Sequence, residues 1–362
     1  MRLKGVCYDV GAVMGFNWRP VFDPKIVRRE LEIIKSDLHC NAVSIVARDV
    51  GRIETAAAAA LEEGLEVWLS PCLWDKSEDE TIAYMAKAAG RLEALRKQWP
   101  DRVVLSVGGE STLFMQGILP GKNLMQRVKS PRFRASIMSG EHNAPLNAFL
   151  ARAVTAVRKE FKGELTYHAL TWEKVDWSLF DHVGVDHYRA KDIEDRYVEL
   201  LKPFLAAGEP VVTEFGNNTY QSDGKLMKVM LGGGDADFFS QFFHSFPAVG
   251  RFVRPRVRVV HPRDEAWQAR QLVETLEILD AAGVDGAFVS QFESQTNPFD
   301  EDPRYDLDTT NQSLVKYYEH GRHGTTYPDM PWEPKESFKA VADYYAGSRP
   351  AQGKDSTGAP QT

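Results

Sequence analysis

Hydrophobic positions along this chain switch repeatedly between two periods. Short apolar runs rich in β-branched residues alternate with longer stretches in which apolar residues recur at three- and four-residue intervals, the marks of buried strands and amphipathic helices. Strands are predicted at residues 4–8, 41–46, 65–69, 103–107, 165–169, 183–185, 210–213 and 286–290. Helices are predicted at 24–38, 53–63, 78–99, 146–161, 193–207 and 264–282, with a closing helix at 334–345. The first helix places Ile26, Val27, Leu31, Ile34 and Leu38 on one side, with Asp23 as its cap and Pro24 in its first turn. Gly64 ends the alanine-rich second helix.

Eight strands with helices between them predict an α/β fold, a (β/α)8 TIM barrel, spanning residues 1–346 as a single domain. An open doubly wound sheet is the alternative, but it calls for a glycine-rich phosphate turn after the first strand. Tyr8-Asp9-Val10-Gly11 is not that turn. Two excursions interrupt the alternation, residues 111–143 after strand 4 and 217–262 after strand 7. The first shows no strong periodicity. The second holds Gly232-Gly233-Gly234 and a cluster of Phe238, Phe239, Phe242, Phe243 and Phe246, too apolar to stay exposed, which suggests a cover over the barrel or a homo-oligomer contact. From 347 to 362 the chain is small, polar and free of aromatics, so a disordered tail is expected.

Composition changes the picture little. The chain has 362 residues, 43% hydrophobic and 26% charged, with a net charge of −7. That balance argues against nucleic acid or an anionic membrane as partner. Cys7, Cys40 and Cys72 form no CxxC pair and fall in or beside strands, so buried free thiols are expected. The N-terminus lacks the apolar core of a signal peptide and no stretch is long enough to span a bilayer, which together predict a cytoplasmic location. His168 and His187 lie at strand ends without a third ligand at fixed spacing, so neither a metal nor another cofactor is expected.

The chemistry sits at two strand ends. Pro210-Val211-Val212-Thr213-Glu214-Phe215-Gly216 closes a β-branched run with a carboxylate, and Val107-Gly108-Gly109-Glu110 does the same about a hundred residues earlier. An unpaired charge is costly in a core, but the C-terminal mouth of a parallel barrel is where catalytic groups sit. Two facing carboxyl groups are what glycosidic bond cleavage needs, one to protonate the leaving oxygen and one to attack the anomeric carbon or activate water.

These segments resemble the retaining glycoside hydrolases of clan A, the 4/7 superfamily. Thr213-Glu214-Phe215-Gly216 is similar to that family's nucleophile segment, Asp186-His187-Tyr188 to its strand-six segment, and Trp332-Glu333-Pro334-Lys335-Glu336-Ser337-Phe338 to the start of its final helix. The resemblance implies Glu214 as nucleophile, Glu110 as acid/base and Tyr188 bonded to Glu214, with the two carboxyls about 5–5.5 Å apart. It also implies that His187 reaches toward the nucleophile. Two departures stand out: Gly109 occupies the place of the family's asparagine, and Ser44 that of an arginine supporting the nucleophile, with Arg48 nearby as a substitute. Residues 105–117 and 142–147 also resemble actinobacterial proteins labelled "abortive infection protein".

Around the pair, Asp9 and Glu293 end strands 1 and 8 as candidate sugar contacts, and Asn217 follows the nucleophile. Trp18, Trp74 and Trp172 follow strands 1, 3 and 5 and could each offer a ring face to a sugar. A carbohydrate is therefore the expected partner, cleaved at its terminus by a retaining, exo-acting hydrolase of carbohydrate metabolism. Two alternatives remain: a non-catalytic carbohydrate-binding or phage-defence protein on the same scaffold, and a barrel lyase or aldolase, which would want a strand-end lysine or a metal cluster.

Overall fold

The computed structural model describes residues 1–221, 224–226, 235–246 and 252–347. Eight parallel strands close into a barrel: β1 (Leu3–Gly11), β2 (Ala42–Ala47), β3 (Glu66–Pro71), β4 (Val103–Gly109), β5 (Glu164–Leu170), β6 (Gly184–Asp186), β7 (Val211–Phe215) and β8 (Gly286–Val289). Each pairs with its neighbour in sequence, and β8 closes on β1 with Leu3 opposite Gly286 and Val6 opposite Val289. Outside them run α1 (Pro24–Ser36), α2 (Val50–Glu62), α3 (Glu78–Gln98), α4 (Asn143–Glu160), α5 (Tyr197–Ala207), α6 (Glu265–Ala282) and α7 (Glu336–Tyr345). The expected (β/α)8 barrel is the observed fold. Asp23 caps α1 by accepting the Lys25 N–H, with Pro24 in the first turn.

Alternation along the strands divides two cores. Val6, Tyr8, Val43, Ile45, Leu165, Tyr167 and Val212 point outward into the helix layer, where they meet Leu31, Leu92, Phe149 and Leu276. Leu3, Cys7, Ala42, Trp68, Val104, Val211 and Phe288 point inward and fill the floor of the barrel. Further along the same inward faces the residues become polar: Asp9, Ser44, Ser106, Thr166, His168 and Asp186 are all buried. A barrel apolar at the N-terminal ends of its strands and polar at the C-terminal ends is prepared for chemistry at the latter.

Seven of the eight strands run one to three residues past their predicted ends, because the sequence pattern turns polar where the strand continues into the site, while β8 stops one residue short. The excursion after β4 is more ordered than its weak periodicity suggests. It folds into three short helices, Ser111–Phe114, Leu124–Val128 and Pro131–Ser139, the second capped by Asn123 and the third by Ser130. In the excursion after β7, the phenylalanine cluster does not bury itself: Phe239 is 67% and Phe243 48% exposed. Phe238 is 47% exposed with its ring 5.9 Å from Phe16 in the hairpin after β1, and Phe242 is half-buried among the rings of Phe238, Phe243 and Phe246. Gly232-Gly233-Gly234 and residues 348–362, where the tail was expected, lie outside the described residues. Cys7 and Cys40 are buried free thiols, while Cys72 is half-buried. Among the described residues no helix is long and apolar enough to cross a membrane.

Candidate active site

Glu214 emerges from β7 half-buried, with a hydrogen bond from the Tyr188 hydroxyl and another from Ser290 Oγ at 3.1 Å, both to Oε1. Burial pushes its carboxyl above the ordinary range, and the two hydroxyl donors pull it back toward the ionised form. Gly216 lets the chain turn away immediately after it. A Cβ there would lie 2.3 Å from Gln312 Oε1 and 2.5 Å from the Ser290 carbonyl oxygen, so no larger residue fits.

Glu110 is presented differently. It sits just past β4 in the left-handed region, φ 47° and ψ 38°, a conformation that costs a non-glycine residue about 1 kcal/mol. The surrounding turn holds it there. Its N–H donates to the His168 carbonyl at 2.8 Å, and its own carbonyl accepts from Leu113 and Phe114. Glu173, in the turn after β5, clamps the same segment: Oε1 accepts from the Thr112 N–H and hydroxyl, and Oε2 from the Tyr167 hydroxyl and Leu170 N–H. Tyr167 Oη in turn accepts the Ser111 N–H at 2.8 Å. A non-glycine residue at positive φ, over-determined by a buried network, is a frequent sign of a functional position.

Three carboxyl groups then share one small volume. Burial first, then the charges of Asp186, Glu214 and Glu173, push Glu110 well above the usual carboxylate range. Asp186, at the end of β6, is in register with Glu214, accepts the Thr213 hydroxyl at 2.7 Å and is hydrogen-bonded to the Glu110 side chain. Glu214 has the smaller displacement and two donors, so of the two glutamates it is the one that ionises first. Two carboxyl groups with unequal affinities for a proton, side by side, form a pair able to divide proton donation from nucleophilic attack.

Asp9 belongs to the same rim. Burial lifts its carboxyl to about 6, opposed by the Gly11 and Ala12 N–H groups that it accepts, with Glu214's charge adding to the rise. Trp18 and Trp74 stand together, ring centroids 5.0 Å apart, and Trp74 stacks on Phe114 at 4.8 Å, making one aromatic wall across three loops. Trp172 is half-buried against Leu113, Leu124 and Leu170, and its indole N–H finds no partner. Asn217 is buried, its carbonyl accepting from Gln268 Nε2.

Three expected contacts are placed elsewhere. His187 is turned outward: its ring stacks on Tyr197 at 3.9 Å and Nε2 bonds the Tyr197 carbonyl, because alternation that points Asp186 and Tyr188 inward must point the residue between them away. Glu293 lies beyond the end of β8 in a sealed ion cluster, where Arg19 Nη1 reaches it at 2.8 Å and Nη2 reaches Glu30 at 2.6 Å. Arg48 is exposed on the loop after β2, and Glu214's stabilising bonds come from Tyr188 and Ser290 instead. Gly109 also has a structural reason. A Cβ on it would lie 3.0 Å from His168 Cβ, so the inward His168 fills the space of a side chain at 109. Asp186, Ser290 and Glu173 were not singled out as site residues by the sequence. Asp186 was legible as a strand-end acid, while Glu173 is linked to its partner Thr112 only by the fold. Among the described residues no group of three or more His, Cys, Asp or Glu is arranged to hold a metal ion.

The fold is shared with solved enzymes. A GH113 β-1,4-mannanase superposes with a TM-score of 0.55 at 12% identity, covering 95% of this chain and 98% of its own. A GH113 β-mannanase from Alicyclobacillus acidocaldarius gives 0.52 at 14%, covering 96% and 98%. A GH5-4 broad specificity endoglucanase from Clostridium longisporum gives 0.52 at 10%, covering 96% and 97%. At such identities the likeness is one of fold: this chain has the (β/α)8 barrel of those glycoside hydrolases over nearly its whole length. No family profile matches the chain, and no curated protein sequence does.

Proposed function

We propose that the chain is a retaining glycoside hydrolase in which Glu214 is the nucleophile and Glu110 the acid/base. The observation that carries this reading is the pairing itself: a carboxyl at the end of β7 supported by two hydroxyl donors, beside a carboxyl at the end of β4 that burial and neighbouring charges push well above the usual range. The barrel shared with mannanases and an endoglucanase supports it. In the first step Glu214 attacks the anomeric carbon, the bond to the leaving oxygen breaks, and Glu110 gives that oxygen its proton. In the second, Glu110 takes a proton from water as the water oxygen displaces Glu214. In this reading Asp9 and the Trp18–Trp74 wall hold the sugar, the first by hydrogen bonds and the second by apolar ring faces.

The excursions after β4 and β7 rise on the same rim, which favours a walled pocket and release of terminal sugars. Hydrolysis of a panel of aryl β-glycosides, furanosides included, tests the reaction, and product sizes from a β-linked oligosaccharide test the exo action. A non-catalytic sugar-binding protein on this barrel would bind members of the panel and cleave none.

A further inference from the structure

Asp186 has no part in a two-glutamate scheme, yet it stands between both glutamates. Its Cα is the register partner of Leu170 on β5 and of Glu214 on β7, and its side chain is closed in the barrel. Thr213 Oγ1 donates to Oδ1 at 2.7 Å, which fixes the carboxylate plane from the β7 side. From the β4 side its side chain is hydrogen-bonded to that of Glu110, and burial holds both carboxyls well above the usual range. The other titratable groups around it come from every neighbouring element: Glu214 from β7, Glu173 from the turn after β5, Tyr188 from beyond β6, Cys7 from β1, and His168 on β5, register partner of Gly184.

We propose that Asp186 is a positioning residue for the acid: in the resting protein Glu110 donates its proton to the Asp186 carboxylate, and this bond aims the acid. Glu110 could otherwise swing freely on its side-chain torsions, and its backbone sits in a conformation that many residues avoid. The Thr213 hydroxyl and the Glu173 clamp hold the two ends of the pair, so the proton has one geometry from which to leave.

The pairing has opposite effects on the two halves of a double displacement, and here it rests on the hydrolase reading. When Glu110 gives its proton to the leaving oxygen, two adjacent carboxylates face each other without a shared proton. That repulsion makes the first transfer harder and makes Glu110 a stronger base for the incoming water in the second. Asp186 therefore shifts effort from the second step to the first, and it sets how alkaline the solution becomes before the acid is lost.

The pairing can be tested without substrate. The full-length protein, labelled with carboxyl 13C in its glutamates and with Glu110 assigned by difference from Glu110→Gln, is titrated by NMR beside Asp186→Asn and Asp186→Ala. The expected result is a Glu110 midpoint lowered by at least about one pH unit in both variants, with melting temperatures close to the parent. The alkaline limb of kcat/KM on an aryl glycoside is expected to move down with it. An unchanged Glu110 midpoint in both folded variants overturns the proposal. A lowered midpoint in a protein whose parent cleaves no glycoside of the panel supports the pairing and overturns the hydrolase reading instead.

Discussion

The Tyr188 hydroxyl donates to Glu214 Oε1, bringing the end of β6 onto the carboxylate at the end of β7. A hydrogen bond to the ionised form of a buried acid is worth about 1.5–3 kcal/mol, or one to two pH units of its midpoint. Removing the hydroxyl withdraws the strongest force opposing burial at Glu214. Tyr188→Phe should therefore raise the Glu214 midpoint and move the acidic limb of kcat/KM to higher pH by about one unit. A pH–rate profile checks it, and an acidic limb that stays in place would show the hydroxyl to be idle.

As the acid of the proposed reaction, Glu110 would supply a proton only when the leaving group needs one. Glu110→Ala should lose about 10²–10⁴-fold in kcat/KM on alkyl or oligosaccharide glycosides and far less on 2,4-dinitrophenyl glycosides, whose leaving group departs unaided. A plot of rate against leaving-group pKa should steepen in the variant. Equal losses across the series would assign Glu110 another task.

Gly109 and His168 are complementary in shape, the first lacking the Cβ whose place the second approaches at 3.0 Å. Gly109→Asn should destabilise the protein by about 1–3 kcal/mol, as overpacking does. In a His168→Gly background, which removes the Cβ that alanine would keep, the loss caused by Gly109→Asn should shrink, read as a melting temperature. Additive losses in the double variant would mean that the two positions are not sterically coupled.

Glu293 gives a stability prediction with a definite sign. Burial raises its carboxyl from 4.5 to about 8, with Arg19's charge opposing and Glu30's adding, since one guanidinium stands between two carboxyls. The folded state therefore holds this proton more tightly than the unfolded chain does. The associated stability is complete below about pH 4.5 and is lost as pH rises through about 8. Glu293→Gln replaces a mostly neutral acid by a neutral amide of similar shape. Its stability should fall less than the parent's between those pH values, as denaturant melts at pH 5, 7 and 9 would show. Parallel pH dependences in the two proteins would place the titration on another group.

What the sequence could and could not disclose follows from separation along the chain. The barrel was legible because each strand is a local β-branched run and each helix a local periodic one. Glu214 and Glu110 were legible because a carboxylate closing an apolar run is anomalous wherever it occurs. Tyr188 was placed correctly by resemblance, but the same resemblance carried His187 with it, and simple alternation from Asp186 shows that both cannot face inward. The partners of Arg19, Glu30 and Glu293, could not be assigned, since they lie far apart along the chain and only the fold joins them. Phe239 and Phe243 stand open in the single chain, where the sequence offered a barrel cover or a subunit contact, because apolarity alone does not specify the surface that covers them.

The assignment of nucleophile and acid is tested most directly by azide rescue of Glu214→Gly, followed by proton NMR of the product. Removing the nucleophile leaves Glu110 in place and a space below the anomeric carbon that a small anion can fill. A β-glycoside should then give the α-glycosyl azide, with activity recovered in proportion to azide, while Glu110→Ala should give the β-azide. No azide product from Glu214→Gly, or a β-azide from it, would contradict the account.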